Sequence, residues 1–136
     1  MQGNAATLGR IAGMLANGGR LSGYEPLLSQ KALDLALSEP KFAFDHFMKC
    51  RTSFTKGGFC DFRTFDAGTS NLVDPSFHRD MDGFVGWGGF GGSLFIWNPE
   101  RRLGMAYVMN GLALNSLGGP RTDRIMRTIQ AILKKI

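Results

Sequence analysis

Apolar residues recur at helical spacing near both ends of the chain and at strand spacing between them. Leu8, Ile11, Ala12 and Leu15 share one face of a helix predicted over 4–17. Asn4 is its N-cap and Gly18-Gly19 its stop. Gly9 and Gly13 lie on adjacent turns, where another backbone can approach closely. A second helix is expected from an N-cap at Ser29 to about Ser38, with Leu33, Ala36 and Leu37 inward and Pro40 ending it. From Phe42 to Phe65 the chain is rich in phenylalanine, and its later half, about 54–65, reads as a strand pair or a strand turning at Gly57-Gly58. Residues 67–82 read as a polar loop. Three strands follow, over 84–90, 91–97 and 103–109, with Asn98-Pro99-Glu100-Arg101 as the turn between the last two. Pro120 opens a final helix with an apolar stripe of Ile125, Met126, Ile129, Ile132, Leu133 and Ile136. The order predicts an α+β fold, helices packed on an antiparallel sheet with the last helix lying across it. The chain reads as one unit: helical over 1–40, strands and loops over about 42–118, and a helix over 120–136.

Composition narrows the functional classes. Hydrophobic residues at 43% and charged residues at 20% suit a folded domain rather than a disordered segment. The net charge of +5 is concentrated near the end, where Arg121, Arg124, Arg127, Lys134 and Lys135 face Asp123 alone. No aromatic interleaving or binding motif accompanies these residues, so they read as a solvated helix face and no nucleic-acid partner is expected. No apolar run approaches the ~20 residues of a membrane span, and no signal peptide is visible, so no membrane partner is expected and the compartment stays open. Cys50 and Cys60 are too sparse for a disulfide scaffold or a zinc ribbon and read as free thiols. His78, Asp80 and Asp82 alternate, but without a second cluster no metal is expected. His46, set among phenylalanines, reads as a packed or surface side chain rather than a general base.

The chemistry concentrates where the glycines do. Seven of the 19 glycines fall between Gly83 and Gly104. Gly86-Trp87-Gly88-Gly89-Phe90-Gly91 spells a dinucleotide fingerprint, but that mechanism needs a helix after the glycines to hold a pyrophosphate. Ser93-Leu94-Phe95-Ile96-Trp97 follows instead and is strand-like, so no dinucleotide cofactor is expected, nor any other. Glycines beside a strand also let a substrate lie against its edge, where a backbone N–H can meet a developing oxyanion.

From Gly86 to Asn110 the sequence resembles the serine β-lactamase-related family, which includes class C β-lactamases, esterases and eukaryotic β-lactamase-like hydrolases. The segment 5–19 followed by Leu27-Leu28-Ser29 resembles the same family's later helical region. The resemblance covers nearly all of this chain but only about the last third of the family's domain. It therefore implies the C-terminal part of a β-lactamase/transpeptidase-like domain. In that family a pocket-lining strand carries a Lys-Thr-Gly box or a variant of it. Trp87, Gly88 and Gly89 stand at the matching positions as implied substrate-binding residues, and the Phe90 backbone N–H as an implied oxyanion donor. The missing lysine disfavours lactam hydrolysis and favours an esterase or peptidase-like parent, acting on a small-molecule ester or amide through an acyl-enzyme.

The family's nucleophile lies in a Ser-x-x-Lys opening a helix. Ser53-Phe54-Thr55-Lys56 has that spelling, but strand-like sequence precedes it and Gly57-Gly58 follows. On a strand, positions three apart point to opposite faces. The family's Tyr-x-Asn box is missing too, since two residues separate Tyr107 from Asn110. Two readings follow: part of a serine hydrolase, inactive alone, or a stand-alone non-catalytic interaction module on the same scaffold. A partial domain exposes apolar surface, so a homo-oligomer is expected, formed through an unpaired sheet edge.

Overall fold

The computed structural model describes residues 4–66, 68, 70–74, 77, 81–111 and 117–135. Helix α1 spans Ala5–Ala16 and α2 Gln30–Leu37. Strands β1 (Lys41–Asp45), β2 (Cys50–Phe54) and β3 (Cys60–Asp61) lead to a 3-10 turn at Phe62–Thr64. Strands β4 (Val85–Gly88), β5 (Leu94–Asn98) and β6 (Leu103–Tyr107) precede helix α3 (Pro120–Leu133). All six strands form one antiparallel meander in chain order. The α+β class is as the periodicities indicate.

Local chemistry sets the helix ends. Asn4 accepts from the Thr7 N–H at 2.9 Å and Ser29 from the Ala32 N–H at 3.2 Å, each occupying a donor with no partner inside the helix. Pro120 stands in the first turn of α3, where its missing N–H costs nothing.

The register divides the side chains between two layers. Leu94 and Ile96 of β5 pair with Tyr107 and Met105 of β6, and these residues join Phe84 and Met126 of α3 in the larger core. On the opposite face, Val85 and Trp97 pack with Leu15 and Ala16 of α1 and Leu33 of α2. Sequence pattern places only the last helix across the sheet. In the structure α1 also lies across β5 and β6, while α3 reaches the core from the other face mainly through Met126. Ile132 of the expected α3 stripe is exposed, and Ile136 lies outside the described residues.

Three expectations are changed by the structure. A close backbone approach does occur beside Gly13, but Gly104 of β6 supplies the room for it: an added Cβ at Gly104 would come 2.2 Å from the Ala12 carbonyl carbon and the Gly13 nitrogen, whereas one at Gly9 or Gly13 would meet nothing within 4 Å. Helical glycine spacing marks space for a neighbour, but here the neighbour's own glycine provides it. The phenylalanine-rich stretch also pairs earlier than periodicity suggests, as a β1–β2 hairpin running Lys41↔Phe54 to Asp45↔Cys50. The anticipated turn at Gly57-Gly58 then links β2 to β3, with the Thr55 N–H bonded to the Phe59 carbonyl at 2.9 Å. The stretch read as a polar loop also carries Val73, Phe77 and Met81 into the core.

Candidate functional site

β3 is short, and the site grows from that. It pairs with β4 only at Cys60↔Gly86 and Asp61↔Val85, so Trp87 and Gly88 extend past it. The Phe62 N–H donates to the Phe84 carbonyl at 3.2 Å, which turns the backbone groups of residues 84, 86 and 88 toward the β3 side. Gly88 therefore directs its N–H and C=O at an edge that β3 leaves open.

A cavity of about 300 Å³ opens at this edge. Thr52 and Phe54 of β2, Cys60 of β3, Phe62, Phe65 and Leu117 form its mostly apolar wall, with Trp87 and Gly88 at the β4 side. Gly88 leaves room there for the side chains behind it, since a Cβ would come 2.5 Å from Leu117 Cδ2 and 3.0 Å from Phe77 Cζ and would make them shift. The Trp87 indole Nε1 donates to the Gly58 carbonyl at 2.8 Å, and its ring lies 6.1 Å from that of Phe59. The rest of the indole is exposed.

Sequence pattern carries the strand to Phe90, but β4 ends at Gly88. The Gly89 N–H bonds to the Ser93 carbonyl at 2.7 Å and the Gly92 N–H to the Gly89 carbonyl at 3.0 Å, closing a tight turn. Gly91 and Gly92 take φ of 81° and 100°, which glycine reaches without strain. Thr122 of α3 donates its hydroxyl to the Gly92 carbonyl at 2.9 Å and anchors the turn. Phe90 sits in that turn with its side chain in solvent. Of the four residues singled out from sequence, Trp87 and Gly88 line the cavity, Gly89 starts the turn and Phe90 lies at its exposed tip.

Among the described residues lining the cavity, Asp45 and Cys60 are the titratable ones. Burial pushes the Cys60 thiol up to about 12, opposed by a backbone hydrogen bond from Ser53 and aided by the nearby Asp61 and Cys50, so it stays protonated near neutrality. Asp61 is buried beside it. Burial alone would raise its carboxyl, but Arg63 holds it below the usual range with side-chain bonds of 2.8 and 2.6 Å and a backbone N–H at 3.1 Å. This pair ties the end of β3 to the turn that follows it.

The Ser-x-x-Lys spelling is pulled apart. Ser53 is buried in β2, while the Lys56 ammonium reaches outward to Glu39 at 3.1 Å. The exposed His46 packs edge-on against Phe44 at 5.1 Å. His78 and Asp80 lie outside the described residues. Asp82 is exposed, and no group of potential metal ligands occurs among the described residues. Among those residues no helix is long and apolar enough to cross a membrane.

The chain superposes on the crystal structure of a family VIII carboxylesterase with a TM-score of 0.72 and 29% identity, over 92% of this chain. It also matches a novel penicillin-binding protein homologue from Caulobacter crescentus with a TM-score of 0.71 and 26% identity, over 94% of this chain. Both are serine β-lactamase-fold proteins. The chain carries the fold of the serine β-lactamase-related proteins. It spans 30% of the length of the first neighbour and 31% of the second. No protein-family model matches it, and neither does any curated protein.

The β-lactamase-related fold gives the open edge of β4 its setting. Sequence reasoning found the glycine-rich strand and turn but missed the wall opposite. Phe54, Cys60, Phe62 and Phe65 converge only through the pairing of β2, β3 and β4. The one sequence signal for that wall is the density of phenylalanine between Phe42 and Phe65.

Proposed function

We propose that this chain forms the substrate-binding strand and acyl pocket of a serine-hydrolase site for small esters or amides. It corresponds to the C-terminal portion of a β-lactamase-related domain and is inactive alone. The observation that carries this reading is the open β4 edge at Trp87–Gly88 facing an apolar cavity of about 300 Å³. Trp87, Gly88 and Gly89 would hold the substrate along the strand, its acyl group against Phe54 and Phe62. The Phe90 N–H, at the tip of the anchored turn, would stabilise the oxyanion. Preorganised donors of this kind are worth about 10²–10³ in rate where they have been removed singly.

The nucleophile and its base would come from residues outside this sequence. The buried Ser53, parted from Lys56, favours that assignment. It equally suits the second reading, a non-catalytic interaction module on the same scaffold.

Fluorophosphonate labelling read by intact mass tests the proposal on the chain and on a longer protein containing it. The expected result is no adduct on the chain and a single adduct on the longer protein, lost when its upstream serine is replaced. An adduct on the chain that disappears in Ser53→Ala would overturn the reading. No adduct on the longer protein, despite an intact fold, would favour the interaction module.

A further inference from the structure

We infer that the free edge of β1 is a self-pairing surface that joins two copies of this chain through their β1 strands. The inference does not depend on the hydrolase reading: Asp45 of β1 also lines the cavity, but the pairing rests on the outward edge of β1, at the end of the sheet opposite β6.

The backbone phase of β1 follows from its neighbour. Arg51 of β2 exchanges hydrogen bonds with Asp66, its N–H reaching the Asp66 carbonyl at 2.9 Å and its carbonyl receiving the Asp66 N–H at 3.0 Å. Arg51 therefore faces away from β1, and its partner Phe44 is a non-hydrogen-bonded position in the β1–β2 pair. The same parity applies to Phe42. Lys41, Ala43 and Asp45 spend their backbone groups on β2, while Phe42 and Phe44 direct theirs out of the sheet.

The sequence Lys41-Phe42-Ala43-Phe44-Asp45 is charge-complementary to its own reverse. An antiparallel pair centred on Ala43 sets Phe42 of one copy opposite Phe44 of the other, so the outward backbone groups meet in four hydrogen bonds. The same register sets Lys41 opposite Asp45 of the second copy at both ends. Asp45 Oδ1 accepts from the N–H groups of Phe47 and Met48, at 2.8 and 2.9 Å, which leaves Oδ2 for the incoming ammonium. Phe42 and Phe44 are both about half exposed on one face and would stack across the junction. Hydrogen-bond phase, charge and apolar surface thus favour one register, with the two-fold symmetry of an isologous dimer. β6 bounds the sheet at its other edge, but Leu103–Tyr107 carries no charge to set a register.

The test is sedimentation equilibrium of the chain at low salt, with oxidative cross-linking of Ala43→Cys. A five-residue strand pair is a small interface, so the dimer of 14.9 kDa chains should form with a dissociation constant on the order of 10–100 μM. In Ala43→Cys the two introduced thiols would face each other at a non-hydrogen-bonded position, where Cα atoms lie ~4.5 Å apart, within disulfide reach. Oxidation should give a covalent dimer, with the buried Cys50 and Cys60 untouched. Phe44→Pro removes an outward N–H without breaking the β2 ladder and should weaken association at least roughly tenfold. Lys41→Asp sets like charges across both ends and should weaken it roughly threefold to tenfold, less so in salt. A monomer at several hundred micromolar overturns the inference. So does a dimer that neither cross-links through Ala43→Cys nor responds to Lys41→Asp, which would move the contact elsewhere.

Discussion

Trp87 Nε1 donates to the Gly58 carbonyl oxygen at 2.8 Å, tying the free end of β4 to the β2–β3 turn across 29 residues. The two elements flank the open edge, so this bond sets how far the cavity mouth can spread. Trp87→Phe keeps an aromatic ring over Phe59 but loses the donor. Because the side chain is half exposed, the stability loss should be small, about 0.5–1.5 kcal/mol in urea unfolding. The effect on the site should be larger, seen as weaker binding of a short-chain aryl ester by titration calorimetry. Unchanged binding would remove Trp87 from the substrate edge.

Gly104 and Gly9 should respond to alanine in opposite directions. A Cβ at Gly104 would come 2.2 Å from both the Ala12 carbonyl carbon and the Gly13 nitrogen, backbone atoms that move only if α1 lifts off the sheet. Gly104→Ala should cost about 3 kcal/mol or more. Gly9 has nothing within 4 Å, so Gly9→Ala should stabilise the chain by about 0.5–1 kcal/mol through helix propensity. Thermal unfolding of the two variants checks the pair.

The Asp61–Arg63 contact predicts acid sensitivity. The folded carboxyl lies below its ordinary value of 3.8, so the folded state holds the ionised form more tightly than the unfolded chain. That stability is complete above pH 3.8 and is lost as pH falls through the folded value. Asp61→Asn should flatten this acid limb. Arg63→Ala should lower stability at pH 7 by about 1–3 kcal/mol, a range that allows for the solvent-exposed guanidinium. Urea unfolding between pH 2 and 7 reads both effects.

Cys60 predicts the alkaline limb. Its thiol is raised from 9.0 to about 12, so above pH 9 the unfolded chain releases a proton that the folded chain keeps. Stability is therefore complete below pH 9 and falls as pH rises toward 12. At pH 8 a disulfide reagent should label Cys60 slowly in the native chain and promptly in urea, since the thiolate is the nucleophile. Fast native labelling would show an open, ionised thiol at the cavity wall.

Much of the architecture is legible in the amino-acid sequence. Caps at Asn4 and Ser29, the turn at Asn98 and Pro120 at a helix start are local signals, each acting within about one turn of chain. β5 reads as a strand from its short apolar run, Leu94-Phe95-Ile96-Trp97, which is buried on both faces of the sheet. β1 is not legible in the sequence because Phe42 and Phe44 lie on an edge with about half their surface in water. No buried alternation marks such a strand. α1 reads as a helix, but its seat across β6 depends on Gly104, some ninety positions away.

The candidate site divides in the same way. Residue order alone determined the glycine-rich strand and turn and the likeness to β-lactamase-related proteins, because tight turns demand particular residues at particular neighbouring positions. It also indicated that Ser53 and Lys56 part, and in the structure they do because β2 ends at Phe54 and Lys56 lies in the turn after it. Only the tertiary structure decided that β3 stops short and leaves Gly88 at an open edge. It alone gathers Phe54, Cys60, Phe62 and Phe65 into one wall and ends β4 before Phe90. Those features depend on pairing register and on contacts between distant segments, such as Gly92 with Thr122. A local pattern along the chain carries no information about which distant backbone will arrive to complete it.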